Sequence, residues 1–200
     1  MPVRLDYRMI ENYVEPGARV LDLGCGDGAL LEDLIERMGV DGCGIDTDLK
    51  QVQKCIARGV PVYHGDMLEG MAMFDDGRFD CVVLSQTLQQ TLKPHLVVRE
   101  MLRVGRRAVI SFPNFGHWKV RLQFLLRGRI PVTRVLPYKW YDTPNIHLLT
   151  VRDFLRLCGE LHLEVIERIF VTPDYRRLPG FLANLLASMA IFVVEKKAPG

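Results

Sequence analysis

At 200 residues, with 48% apolar and 25% charged side chains, the chain has ordinary globular composition and suffices for one full core, so a single domain over residues 1–200 is expected. No run of 18 apolar residues occurs; the nearest, Phe181 to Val194, is broken by Asn184 and Ser188, which excludes a membrane-spanning helix at the level of sequence. The formal net charge of +2 conceals a division, because residues 1–80 carry 8 Lys/Arg against 16 Asp/Glu and residues 81–200 carry 18 against 8.

Leu5 to Tyr13 has weak helical periodicity and stops at Pro16-Gly17, which suggests a short lid helix within residues 1–16. Arg19 to Leu23 reads as a buried strand. It runs into the alternating glycines of Gly24-Cys25-Gly26-Asp27-Gly28, the pattern of a strand turning sharply into a helix. Ala29 to Met38 sets Leu30, Leu31, Leu34, Ile35 and Met38 on one helical face, with Gly39 as C-cap. Gly42 to Asp46 is the next strand, and Thr47-Asp48 caps a helix through Arg58 with Val52, Cys55 and Ile56 inward. Val60 to His64 and Asp80 to Ser85 are strands, His95 to Val104 a helix, and Arg107 to Phe112 a fifth strand. Thr150-x-x-Asp153 forms a capping box opening a helix through Leu161. Strands follow at Leu163 to Val171 and Met189 to Glu195, joined by a connection with its own helix.

This alternation predicts an α/β fold: a seven-stranded, mostly parallel sheet with helices on both faces and one antiparallel strand in an edge hairpin. Ligands of such sheets bind at the carboxyl ends of the strands. Three acids fall there. Asp22 closes the first strand, Asp46 the second and Asp66 follows the third, although each alone also serves as a turn or helix-cap residue. The glycine spacing also satisfies a dinucleotide pattern, but Asp22 and Asp27 would sit beside a pyrophosphate, which leaves an NAD-dependent reductase the weakest reading. S-adenosylmethionine (SAM) carries a sulfonium and an ammonium and no phosphate, so the same acids favour it. The cofactor residues expected are Asp22, Gly24, Gly26, Gly28, Asp46, Thr47, Asp66, Met67 and Ser85, with Asp46 accepting from ribose hydroxyls and Asp66 from an adenine amino group beside Met67.

Cys25, Cys43, Cys55, Cys81 and Cys158 are odd in number and lack C-x-x-C spacing, which argues for free thiols in a reducing cytoplasm, with no disulfide framework and no metal site. The first six residues lack an apolar signal core. Met101 to Tyr141 holds nine basic residues and no acid, but no nucleic-acid motif accompanies them, so no nucleic-acid partner is expected.

Val20 to Gly28, Gly44-Ile45-Asp46, Gly65-Asp66 and Phe79 to Leu84 resemble the successive motifs of class I SAM-dependent methyltransferases. More narrowly, Leu84-Ser85-Gln86-Thr87-Leu88-Gln89-Gln90-Thr91, Ser111 to Trp118 and Pro137 to His147 are similar to the MetW family, over about Arg4 to Lys197. The resemblance implies a Rossmann-like methyltransferase fold binding SAM or S-adenosylhomocysteine. It also implies a role in methionine biosynthesis as partner of a homoserine O-acyltransferase, acetyl or succinyl.

Whether methyl transfer occurs is a separate question. The loop Ser85 to Thr91 offers hydroxyls and amides but neither acid nor histidine, so no catalytic base is identified. Gln86, Asn114, His117, Tyr141 and His147 are candidates for a substrate pocket, with segments 113–150 and 172–188 shaping the substrate or partner face. Two readings stand: an accessory SAM-binding partner, or a genuine methyltransferase acting on a small molecule. Trp118, Leu122, Leu125 and Leu126 at helical spacing, flanked by Lys119, Arg121, Arg127 and Arg129, are the candidate partner contact, or else the core-facing side of an ordinary helix.

Overall fold

The structure is a computed structural model that describes residues 5–133, 136–174 and 176–197; the start of the expected lid and Arg134 of the basic run lie outside the described residues. In chain order the elements are α1 (Leu5–Glu11), β1 (Arg19–Leu23), α2 (Ala29–Met38), β2 (Asp41–Asp46), α3 (Leu49–Ala57) and β3 (Val62–His64). There follow α4 (Met67–Ala72), β4 (Phe79–Ser85), a 3₁₀ turn at Leu88–Gln90, α5 (Pro94–Val104), β5 (Gly105–Pro113) and α6 (Trp118–Arg127). The chain closes with α7 (Val151–Glu160), β6 (Leu163–Val171), α8 (Gly180–Leu186) and β7 (Met189–Lys196).

The strands form one sheet in the order β3-β2-β1-β4-β5-β7-β6. The first five run parallel, and β7 lies antiparallel between β5 and β6. Central strands are apolar on both faces because helices cover both. Alternate residues divide accordingly: Leu21, Val82, Leu84 and Ile110 face α4, α5 and α7, whereas Val20, Cys81, Val83 and Val109 face α1 and α2. Ile10 of α1 is fully buried there, so this helix packs on the sheet through its apolar side. Phe112 of β5, Phe154 of α7 and Phe192 of β7 meet with ring centroids 4.7–5.8 Å apart and fasten the antiparallel strand to the parallel ones.

Local rules account for most helix ends. Gly39 caps α2 in the left-handed conformation, Asp48 accepts from the Lys50 N–H at the start of α3, and Thr150 and Asp153 form the expected reciprocal box on α7. Ile56 departs from expectation, being 64% exposed where Val52 and Cys55 are buried. At about 100° per residue it lies about 40° past Val52 on the side away from Cys55, beyond the rim of the sheet.

At the opposite end of the sheet from the glycine turn, Arg19 clamps β1 to β4. Its backbone N–H and Nε donate to Asp80 Oδ2 at 3.0 and 3.1 Å, and Nη2 donates to Oδ1 at 2.9 Å. These bonds from Arg19 hold the Asp80 carboxyl down at about 2. The sign follows: the contribution is complete above the ordinary carboxylate range and disappears as pH falls through about 2. Asp80→Asn is therefore expected to be less stable than the parent at neutral pH, and to lose less stability between pH ~4 and ~2, measured as the urea midpoint against pH.

Candidate functional site

The site grows from the turn after β1. The Gly24 and Cys25 N–H groups both donate to Ile45 O of β2, at 2.8 and 3.2 Å, which bends the chain back across the strand ends. Gly24, Gly26 and Gly28 have φ of +66°, +58° and +78°, the left-handed region that L side chains enter at a cost. Their surroundings differ. A Cβ at Gly24 would lie 2.9 Å from Thr87, itself held by a bond from Oγ1 to Ser85 O at 2.9 Å, and one at Gly28 would lie 2.9 Å from Cys55 Sγ. At Gly26 a Cβ would meet nothing within 4 Å, so that peptide presents bare backbone to open space.

Asp46 fixes the middle of the turn. Its Oδ2 accepts from the Gly26 N–H at 2.8 Å and its Oδ1 from the Asp48 N–H at 2.8 Å. Each oxygen has a second acceptor site. From behind, Cys55 Sγ donates to Gly26 O at 3.1 Å and lies 3.8 Å from Cys25 Sγ. Burial pushes the Cys25 thiol far up, and the nearby Asp22 charge adds to this; Cys55 is raised by the same burial. Both sulfurs therefore stay protonated and act as packing groups. Asp22 is 3% exposed beneath the turn. Asp27 is paired with Arg58 at 3.0 Å, and Glu32 also pairs with Arg58, so α2 opens among carboxylates.

The other expected cofactor residues lie on the same side. Thr47 is exposed, with its carbonyl 3.1 Å from His64 Nε2. Asp66 N-caps α4, Oδ1 accepting from the Leu68 and Glu69 N–H groups, and Met67 packs against the core as the first residue of that helix. Ser85 ends β4 with its hydroxyl 3.3 Å from that of Ser111.

The five expected substrate-pocket residues do not converge. Gln86 sits at φ +51°, a strained value for a residue with a Cβ, held by bonds from its N–H to Ser111 O and Oγ at 2.9 and 3.1 Å. It lines a cavity of about 370 Å³ at the strand ends with Gln89, Tyr138, Asn145 and Ser188. His117 instead lines a separate cavity of about 510 Å³. It caps α6 through Nδ1, accepting from the Lys119 N–H, and burial holds its imidazole below the usual range. His147 borders a third space with His95 and Leu149. Tyr141 lies edge-on to Trp140 at the surface, 65% exposed. Asn114 is fully buried and spends its amide on backbone: Nδ2 donates to the carbonyls of Ala183, Asn184 and Ala187, and Oδ1 accepts from Gly116 and Val151 N–H. It is a clamp between β5, α7 and α8, not a pocket residue.

Gln89 is the residue that sequence reasoning missed, although it lies in the stretch singled out for resemblance. Its Nε2 donates to Gln86 O at 2.7 Å, and its carbonyl accepts from Ile146 and His147 N–H, which pins segment 145–147 to the β4 loop. Its Oε1 is buried with no hydrogen-bond partner among the described residues. No acid or histidine among the described residues lines this cavity. Among the described residues no group of three or more His, Cys, Asp or Glu is placed to hold a metal, and no helix is long and apolar enough to cross a membrane.

The unequal surroundings of the glycines separate two substitutions. Gly26→Ala is expected to lower stability by about 1 kcal/mol, from backbone strain alone. Gly24→Ala adds overlap with the tethered Thr87 and is expected to cost more than about 2 kcal/mol; chemical denaturation of both proteins checks the order.

Residues 4–194 match the family model described as "Methionine biosynthesis protein MetW". A bifunctional methionine biosynthesis protein MetXA/MetW from Rhodopirellula baltica is 32% identical over 206 residues, covering 98% of this chain. The chain spans 33% of that relative's length. Among solved structures, a SAM-dependent methyltransferase from Archaeoglobus fulgidus superposes with a TM-score of 0.70 at 15% identity, covering 96% of this chain and 93% of its own. The [4+2]-cyclase SpnF superposes at 0.68 with 16% identity, covering 96% and 81%. These two likenesses concern the fold, which evidently carries more than one chemistry.

Proposed function

This chain belongs to the MetW family of methionine biosynthesis proteins, and from that premise we propose that it is a SAM-binding partner of a homoserine O-acyltransferase, supporting acylation of homoserine. The observation that carries the partnership is the Rhodopirellula relative, in which MetXA and MetW form one polypeptide. Fusion raises the local concentration of one module at the other, as expected where the separate chains work in contact. The reading places the protein in the cytoplasm, where its five cysteines remain free.

For the cofactor, Gly24, Gly26 and Gly28 would offer main chain without Cβ atoms. The open side of Gly26 is the approach that such a ligand requires. Asp46 retains acceptor sites for the ribose hydroxyls, with Thr47 beside it; Asp66 and Met67 would meet the adenine, and Asp22 beneath the turn opposes the cofactor's positive charges. Ser85 stands at the end of β4, nearest the substrate side. When bound, SAM supplies an electrophilic methyl group. S-adenosylhomocysteine would fit the same contacts without it. The buried carboxylate of Asp22 beneath the turn favours this ligand over a dinucleotide pyrophosphate, whereas Asp27 and Glu32 are both paired with Arg58.

A second reading, a methyltransferase acting on a small molecule, is favoured by one feature. Gln86 and Gln89 line the 370 Å³ cavity and bring side-chain amides to it, the polar groups that would orient a small substrate. The cavity draws its walls from both 113–150 and 172–188. Among the described residues no side chain there is placed as a base, so an acceptor whose nucleophile must lose a proton is disfavoured.

Titration calorimetry with SAM tests the pocket. Asp46→Ala is expected to weaken binding at least about tenfold, the equivalent of one hydrogen-bonded anchor, whereas equal affinity in the two proteins would remove Asp46 from the site. Methyl-labelled SAM incubated with the protein and candidate acceptors is expected to yield no labelled product; a product that disappears in Gln89→Leu would establish the second reading instead.

A further inference from the structure

We propose that the outward face of α6 is the surface on which the acyltransferase docks, an inference that rests on the partnership argued above. A helix on a protein's exterior ordinarily turns its apolar stripe inward. In α6 the stripe points out. Its attachment to the body is slight and largely polar: Val120 packs on Phe115 and Leu136, Arg121 donates to the carbonyls of Gly116 and Asn184, and His117 caps the first turn. No residue of the helix is buried.

Trp118, Leu122, Leu125 and Leu126 are 41%, 43%, 80% and 73% exposed. At about 100° per residue they share an arc of about 100° on the side away from Val120. Arg121 reaches Asn184, so α8 is the neighbouring element, and there Phe181 and Leu185, one turn apart, are exposed as well. An apolar face of this extent carries an aromatic anchor and has basic residues at its margin, the composition of an interface core with a polar rim.

Charge chooses between the occupants. Lys119 lies beside Leu126 at the edge of the stripe, Arg127 and Arg129 gather at the C-terminal end of the helix, and no acid occurs from Met101 to Tyr141. A second copy docking face to face would set these cations against their equivalents, whereas a partner with an acidic rim around an apolar centre is complementary. The fused relative matches 98% of this chain, so a counterpart of α6 exists in a polypeptide that also holds the MetXA module. The occupant is therefore the acyltransferase, presenting an apolar patch bordered by carboxylates.

The test measures binding between this full chain and the purified homoserine O-acyltransferase of the same cell, by sedimentation and calorimetry. The variants are the double substitution Leu125→Asp with Leu126→Asp and, as control, Met73→Asp at the exposed end of α4. The double variant is expected to bind at least about 100-fold more weakly, with an unchanged unfolding midpoint because both side chains lie in solvent; the control is expected to bind as the parent does. Undiminished binding by the double variant overturns the docking face and leaves the partnership standing. No binding by the parent chain removes the partnership and the docking face together. A dimer of the parent alone that the double variant dissociates would show that a second copy occupies the face.

Discussion

The bond from the Gly26 N–H to Asp46 Oδ2, at 2.8 Å, is the contact through which sheet and candidate site depend on each other. It ties the most open residue of the turn to the end of the neighbouring strand. The bond from Cys55 to the Gly26 carbonyl holds the same residue from α3. With the carbonyl of Ile45 taking two further N–H groups, β1, β2 and α3 all converge on the turn. The loop is thus a rigid backbone cradle made by packing, and the burial that makes it rigid also keeps its two thiols protonated.

Much of the fold was legible because its signals are local. The strand Arg19–Leu23 and the helix Ala29–Met38 coincide with the apolar runs and glycine boundaries that define them, and the Thr150–Asp153 box is a four-residue pattern. Helix α4 was not legible. It is six residues long with Gly70 inside, and that glycine is required by a long-range contact, since a Cβ there would fall 2.6 Å from Ile45. The sequence carries no mark of that approach, and Asp66 invites a ligand reading although its carboxylate also caps this helix.

The candidate site divides along the same line. Acids and glycines at successive strand ends were identifiable because topology alone brings strand ends together. The later residues depend on how the loops fold over the sheet, and no periodicity reports that. His117, His147 and Tyr141 therefore scatter over two cavities and the surface, Asn114 becomes a backbone clamp, and Gln89 takes the place none of them fills. The apolar spacing of α6 was visible, but spacing cannot say which way a stripe faces. Only the small inner contact of Val120 and the anchoring of Arg121 decide that it faces outward.

The most direct measurement is the rate of homoserine acylation by the purified acyltransferase with and without this protein, at zero and saturating SAM. The account predicts a rate that depends strongly on this protein and that changes again with SAM. A rate indifferent to the protein, with no complex between the two, would contradict it.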